Sequence, residues 1–249
     1  MIPVIAVAHG SRDPRSAQAM VAALTALRAR RPDWDVRLAF LDLNAPSVRQ
    51  AVDAVAAEGH HRVVVVPLLL GSAFHARVDL PGILAEAHVR HPHLELVRTD
   101  VLGPDRLLVA AARNAVAATG VSRLDPSVGI AMCAVGSRRA GADAATAAVA
   151  PRLLAGTSWT HVRACFATST PDVVGALTAL REAGARRLVV APWLLAPGLL
   201  WDRACDAAQS VFPDIRIATP LAAGDAVGRV VERRCLDALA DSTGVLRSA

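Results

Sequence analysis

Apolar positions recur along this chain in two alternating rhythms. Ile2–Ala8 is an apolar run of β character. Pro14 then opens a stretch to Arg31 in which Ala17, Met20, Val21, Leu24 and Leu27 fall at helical spacing. Val36–Leu41 predicts the next strand. Pro46–Glu58 predicts the next helix, with Asn44 or Ser47 as its cap and Gly59 as its stop. Arg62–Leu70 predicts a third strand, and its consecutive valines imply burial on both faces, as in a parallel sheet. A helix over Asp79–Arg90, a short strand over Leu94–Arg98 and a helix over Pro104–Thr119 continue the alternation. Strand and helix alternating in this way predict a doubly wound parallel sheet.

The pattern then starts again. Val128–Ala134 matches Ile2–Ala8, and Gly136-Ser137-Arg138 matches Gly10-Ser11-Arg12. Ala164-Cys165-Phe166 with Thr170-Pro171-Asp172-Val173 matches Leu38-Ala39-Phe40 with Ala45-Pro46-Ser47-Val48. Leu188–Leu195 matches Val63–Leu70. The matched segments keep their order at a nearly constant offset of about 125 residues, which defines an internal repeat. The expected fold is therefore α/β, with two tandem similar flavodoxin-like domains, 1–122 and 127–249, joined near Gly120–Pro126. Each is a mostly parallel four-stranded sheet with helices on both faces.

Composition narrows the class. Of 249 residues, 53% are hydrophobic and 20% charged, enough apolar content for real cores. The mean hydropathy of +0.38 raises the question of a membrane span. The apolar runs Val63–Leu70 and Leu188–Ala196 stop short of the roughly 18 residues a span needs, and they contain Pro67 and Pro192. They read as buried strands. With no basic leader at the N-terminus, a soluble cytoplasmic protein is expected, with no membrane association. The net charge is +5, and every basic residue is arginine, the natural bidentate partner of carboxylates and phosphates. Scattered arginines, 3% aromatics and no tyrosine argue against nucleic acid. Cys133, Cys165, Cys205 and Cys235 form no C-x-x-C pair and read as buried free thiols in a reducing compartment.

Comparing the halves isolates the candidate chemistry. His9 follows the first strand, and Val135 stands at the matching place. His75 follows the third strand, and Leu200 matches it; Asp42 follows the second strand, and Thr168 matches it. One working site in the first half and a supporting second half are expected. In a flavodoxin-like sheet the first and third strands are neighbours, and the crevice between their C-terminal ends binds ligands. His9, His75 and Asp42 should open onto that one rim. Two imidazoles and a carboxylate suit a borderline divalent ion such as iron, cobalt or nickel. His88, His91 and His93 offer a second metal-like spacing, but read better as a solvated turn before a strand.

These residues carry a resemblance. The segments Val7–Pro14, Ala39–Asp42, Ala45–Val48 and Pro67–Leu70 through His75, with Asp79-Leu80-Pro81 beyond, resemble the CbiX/SirB group of class II chelatases. The resemblance spans the chain as the long, two-domain form, with its motifs in the first half. It implies chelatase-type domains and insertion of a divalent metal, Fe2+ ahead of Co2+, into sirohydrochlorin, with the metal as substrate and no organic cofactor. It implies His9 and His75 as the metal-binding, catalytic pair. Asp42 stands where the family usually has glutamate, a shorter reach toward the metal. Neutral imidazoles would hold the ion and take up the two pyrrole N–H protons, so activity should fall below about pH 6. Arg12 and Arg77, with Ser11 and the backbone N–H groups of Gly10 and Ser11, are candidates for the substrate carboxylates. Leu68–Leu70 and the loop Gly71, Ser72, Ala73 and Phe74 are candidates for an apolar face toward the ring, with Trp193 and Trp201 as an opposite wall or as core.

The alternative in another class is a non-catalytic metal or tetrapyrrole carrier. A histidine phosphatase would have arginine before His9, where Ala8 stands. A redox flavoprotein rests on fold alone. Fusion of two halves allows a monomer or weak homodimer.

Overall fold

The computed structural model describes residues 1–71, 78–137, 139 and 141–245. In chain order the elements are β1 (Ile2–Ala8), α1 (Pro14–Arg30), β2 (Trp34–Phe40), α2 (Val48–Ala57), β3 (Arg62–Pro67), α3 (Leu80–Arg90), β4 (Glu95–Arg98) and α4 (Arg106–Ala118). Then come β5 (Val128–Ala134), α5 (Ala142–Ala147), a 3-10 turn (Ala150–Leu154), β6 (His161–Phe166), α6 (Val173–Glu182) and β7 (Arg187–Pro192). The chain continues with α7 (Leu199–Val211), β8 (Arg216–Ile217), a second 3-10 turn (Leu221–Ala223) and α8 (Ala226–Val245). They form two compact units, Met1–Gly103 with Asp225–Ala249, and Pro104–Gly224.

Each unit holds a four-stranded sheet, ordered β2-β1-β3-β4 in the first and β6-β5-β7-β8 in the second. All pairings are parallel, as the valine-rich runs predicted. The third strand ends at Pro67 rather than Leu70: Leu68 still donates its N–H to the Val7 carbonyl at 2.7 Å, and the chain then leaves the sheet.

In the first unit, Ile5, Val7, Val63 and Val65 point to one face, where they pack with Val52 and Val55 of α2 and Leu80 and Leu84 of α3. Alternation sends Val4, Ala6, Val64 and Val66, all fully buried, to the other face. That face is covered by α1 and α8, which pack on each other, α8 also reaching β3. Gly228 permits the close approach: a Cβ there would stand 3.0 Å from the Ala23 carbonyl oxygen. Arg30 donates to the Glu232 carboxylate at 3.2 Å across the same helix pair.

In the second unit α6 and α7 cover one face, with Leu177, Leu180 and Trp201 in the core. The opposite face takes α4, whose Arg113 donates to the Arg152 and Leu153 carbonyls at 2.9 and 3.1 Å. The long first helix of the first repeat is replaced here by α5 and a 3-10 turn, separated at Ala148 and Val149, just ahead of Pro151 in the turn's first positions.

The repeat in sequence and the compact units in space thus differ by one helix each. The helix over 104–119, which the sequence groups with the first half, packs in the second unit, and α8 packs in the first. A helix joining two parallel strands of one sheet must lie on that sheet. The last helix of each repeat has no strand of its own sheet to return to, so that constraint lapses. No helix among the described residues is long and apolar enough to cross a membrane.

Candidate functional site

The first sheet changes winding direction between β1 and β3, which places its crevice at the C-terminal end of β1. His9, the next residue, is exposed there. Pairing with the second strand continues beyond the regular ladder: Leu41 donates to the Ala8 carbonyl at 2.9 Å and Asp42 to the His9 carbonyl at 3.0 Å. His9 and Asp42 are therefore backbone neighbours, and both are exposed. Gly10 makes the approach possible. Its φ is +99°, and a Cβ would stand 1.8 Å from the Asp42 carbonyl oxygen, so glycine alone fits.

The loop after His9 is pinned from both sides. Ser11 donates its N–H to Asn44 Oδ1 at 2.7 Å, and its hydroxyl oxygen accepts the Asp13 N–H at 3.0 Å. Asp13 caps α1 by accepting the Arg15 N–H at 3.0 Å. The Arg15 guanidinium returns to the same carboxylate at 3.0 and 3.1 Å and holds that carboxyl below its ordinary range. The anion-facing N–H groups expected at the helix start are thus partly spent: Ser11 N–H goes to Asn44, and the first turn is capped by Asp13. The Ser11 hydroxyl keeps its proton to donate. One Asp42 oxygen accepts the Leu43 N–H at 2.8 Å. Arg12 is exposed in the same loop.

On the far side of the rim, the exit of β3 is held against that of β4. Leu102 donates to the Leu69 carbonyl at 2.9 Å, and a Cβ on Gly103 would meet the Leu70 carbonyl oxygen at 2.4 Å. Gly71 is exposed. Ser72, Ala73, Phe74, His75 and Arg77 lie outside the described residues. The structure thus brings His9, Asp42, Ser11 and Arg12 to one rim. Asn44 and Leu43 are the rim residues that sequence reasoning missed; the one signal for Asn44, its place before α2, marked it as a helix cap.

The second unit keeps the backbone of this rim without its imidazole. Gly136 has φ +93°, and Thr168 donates its N–H to the Val135 carbonyl at 2.9 Å, as Asp42 does to His9. The Thr168 hydroxyl turns back to the same carbonyl at 2.7 Å, and Ser169 donates to Asp143 at 2.6 Å. Trp201 lies in the core of this unit, and Trp193 is buried as well. All four cysteines are buried and free.

The remaining histidines sit elsewhere. His61 and His93 flank the starts of β3 and β4, where Glu95 donates to the His61 carbonyl at 2.8 Å, at the sheet end opposite His9. The His91 ring lies 2.7 Å from the Asp53 carboxylate and ties α3 to α2. Among the described residues no group of three or more His, Cys, Asp and Glu side chains is placed to hold a metal ion.

An internally duplicated parallel α/β chain, with a histidine at the switch point of one sheet only, is the class this geometry defines. The chain belongs to the CbiX family, whose family model matches residues 3–119 and again 129–238. It is 25% identical to the sirohydrochlorin ferrochelatase of Priestia megaterium over 86% of this chain and 80% of that one. It is 26% identical to the sirohydrochlorin cobaltochelatase of the same organism over 82% of this chain and 67% of that one. The solved structure of SirB from Bacillus subtilis with Fe3+ shares the fold, with a TM-score of 0.83 at 23% identity, covering 98% of both chains.

Proposed function

We propose that this chain is a sirohydrochlorin chelatase, a lyase that inserts a divalent metal into the tetrapyrrole. The observation that supports it most is the similarity to two sirohydrochlorin chelatases across more than four-fifths of this chain, 86% and 82%. In this reading His9 and His75 hold the ion at the first unit's rim, and Asp42, backbone neighbour of His9, steadies it or orients an imidazole. The reaction exchanges one M2+ for two pyrrole protons. As the ion passes to the ring, the neutral imidazoles it leaves take up those protons and pass them to water; both roles require them unprotonated. Arg12 and Arg77 receive substrate carboxylates, with the Ser11 hydroxyl beside them, and Gly71, Ser72, Ala73 and Phe74 border the ring. Fe2+ is the physiological metal ahead of Co2+. The protein works in the cytoplasm without an organic cofactor, as a monomer or weak homodimer.

The test is anaerobic insertion of Fe2+, Co2+ and Ni2+ into sirohydrochlorin, followed by absorption. Repeated turnover is expected. His9→Ala and His75→Ala should each remove most of it without unfolding the chain, and Asp42→Asn should cost less than either. Stoichiometric capture without turnover would identify a carrier instead, and near-normal rates in both histidine variants would move the site.

A further inference from the structure

Leu43 follows Asp42 on the rim that bears His9. It is 52% exposed, and its φ of 63° makes it the one non-glycine residue in the left-handed region among the described residues. Leucine is disfavoured there, where glycine and asparagine are at home. An exposed leucine also recovers little by burial. The local bonds hold this conformation: Leu43 donates to Asp42 Oδ1 and Asn44 to the Asp42 carbonyl, each at 2.8 Å, while Asn44 Oδ1 ties the turn to Ser11. The loop therefore keeps a strained backbone and presents an aliphatic side chain to solvent beside His9 and Asp42. Strain of this kind persists where the surrounding structure enforces it, and it gathers at ligand sites.

We propose that Leu43 is a specificity-determining contact for the tetrapyrrole. Its side chain packs on the apolar face of the macrocycle and seats the ring over the His9 side of the rim. The inference rests on the function proposed above and adds to it an apolar contact for the uncharged part of the substrate on the His9 side of the rim. Arginines and hydroxyls bind the carboxylate periphery, but a flat ring face needs an apolar partner that excludes water. Asp42 next door cannot serve, since its carboxylate would be desolvated by the ring without gaining a partner.

Leu43→Gly, Leu43→Asn and Leu43→Met in the full chain test this. Thermal midpoint, Co2+ binding without macrocycle, binding of metal-free sirohydrochlorin, and KM and kcat are measured for each. A structural role and a contact role predict different outcomes. As a contact, Gly and Asn keep or raise the midpoint by relieving the backbone, and leave Co2+ binding unchanged. Both weaken macrocycle binding and raise KM about tenfold or more, whereas Met stays within about threefold of the parent. Gly and Asn variants that bind sirohydrochlorin as the parent does, or a Met variant as impaired as Asn, would overturn the assignment. A parent chain that neither binds nor metallates sirohydrochlorin overturns the proposed function and, with it, this contact.

Discussion

Gly10 shows how much of the rim depends on single positions. Its φ of +99° and the 1.8 Å clearance to the Asp42 carbonyl oxygen act together. Gly59, at φ +81° with nothing within 4 Å, has only the first constraint. Gly59→Ala should therefore cost about 1 kcal/mol, the left-handed penalty alone. Gly10→Ala should cost clearly more and should also part His9 from Asp42, removing most chelatase activity; denaturant melts beside an insertion assay check both. The placement of His9 and Asp42 on one rim was legible in the sequence, because each follows a strand and the repeat has Val135 and Thr168 in their places, while it keeps Gly10 as Gly136. Asn44 was not. An asparagine before a helix is a good cap, and only the folded chain decides that it bonds Ser11, 33 positions away, while Ser47 caps α2. The thiols were legible as buried, and burial pushes Cys205 and Cys235 up to about 12. Thiolate is the reactive form, so Cys205 and Cys235 of the native protein should not react with an aromatic disulfide reagent at pH 8 until denaturant is added. Labelling of either of these two cysteines without denaturant, located by peptide mass, would contradict this.

At the scale of elements, hydrophobic periodicity found the strands and long helices because burial dictated both. Ends were less legible, since they depend on which groups find partners. The helix expected from Pro46 starts at Val48, where Ser47 accepts the Gln50 N–H at 3.2 Å and the Gln50 side chain accepts the Ser47 N–H at 2.9 Å. Ser47→Ala breaks this reciprocal pair and should cost about 1 kcal/mol in urea melts. The α1 cap carries a pH signature. The Arg15 guanidinium, then its backbone N–H, holds the Asp13 carboxyl below the ordinary value. A carboxyl lowered in the folded state stabilises fully above its unfolded pKa of about 4 and loses that contribution as pH falls through the lower folded value. Asp13→Asn should therefore melt below the parent at pH 7, and the gap should narrow toward pH 2. A gap independent of pH would assign the effect to shape rather than charge.

For the whole molecule, the repeat announced two sheets, but not which sheet the last helix of each repeat would cover. Periodicity shows that α4 has an apolar face, with Leu108, Val109, Ala112 and Val116 buried; it carries no address for that face. In the folded chain α4 joins the second unit and α8 the first. Residues 1–122, the first repeat as the sequence draws it, would then carry α4 without its sheet and a sheet without α8. The face bearing Val4, Ala6, Val64 and Val66 would lose half its cover, and burial of such side chains is worth about 1.5–3 kcal/mol each. That loss is comparable with the whole stability of a small domain, about 5–15 kcal/mol. The fragment 1–122 should therefore not persist as a folded monomer. It should pair, each copy lending α4 to the other in the place α8 holds, with a light-scattering mass of twice the chain. By contrast, 1–103 joined to 225–249 through a short Gly/Ser linker restores α8 to its sheet and should fold cooperatively as a monomer. If 1–122 proves monomeric with a stability equal to that linked chain, the exchange of helices does not govern which piece can fold alone, and the border between folding units returns to the sequence repeat.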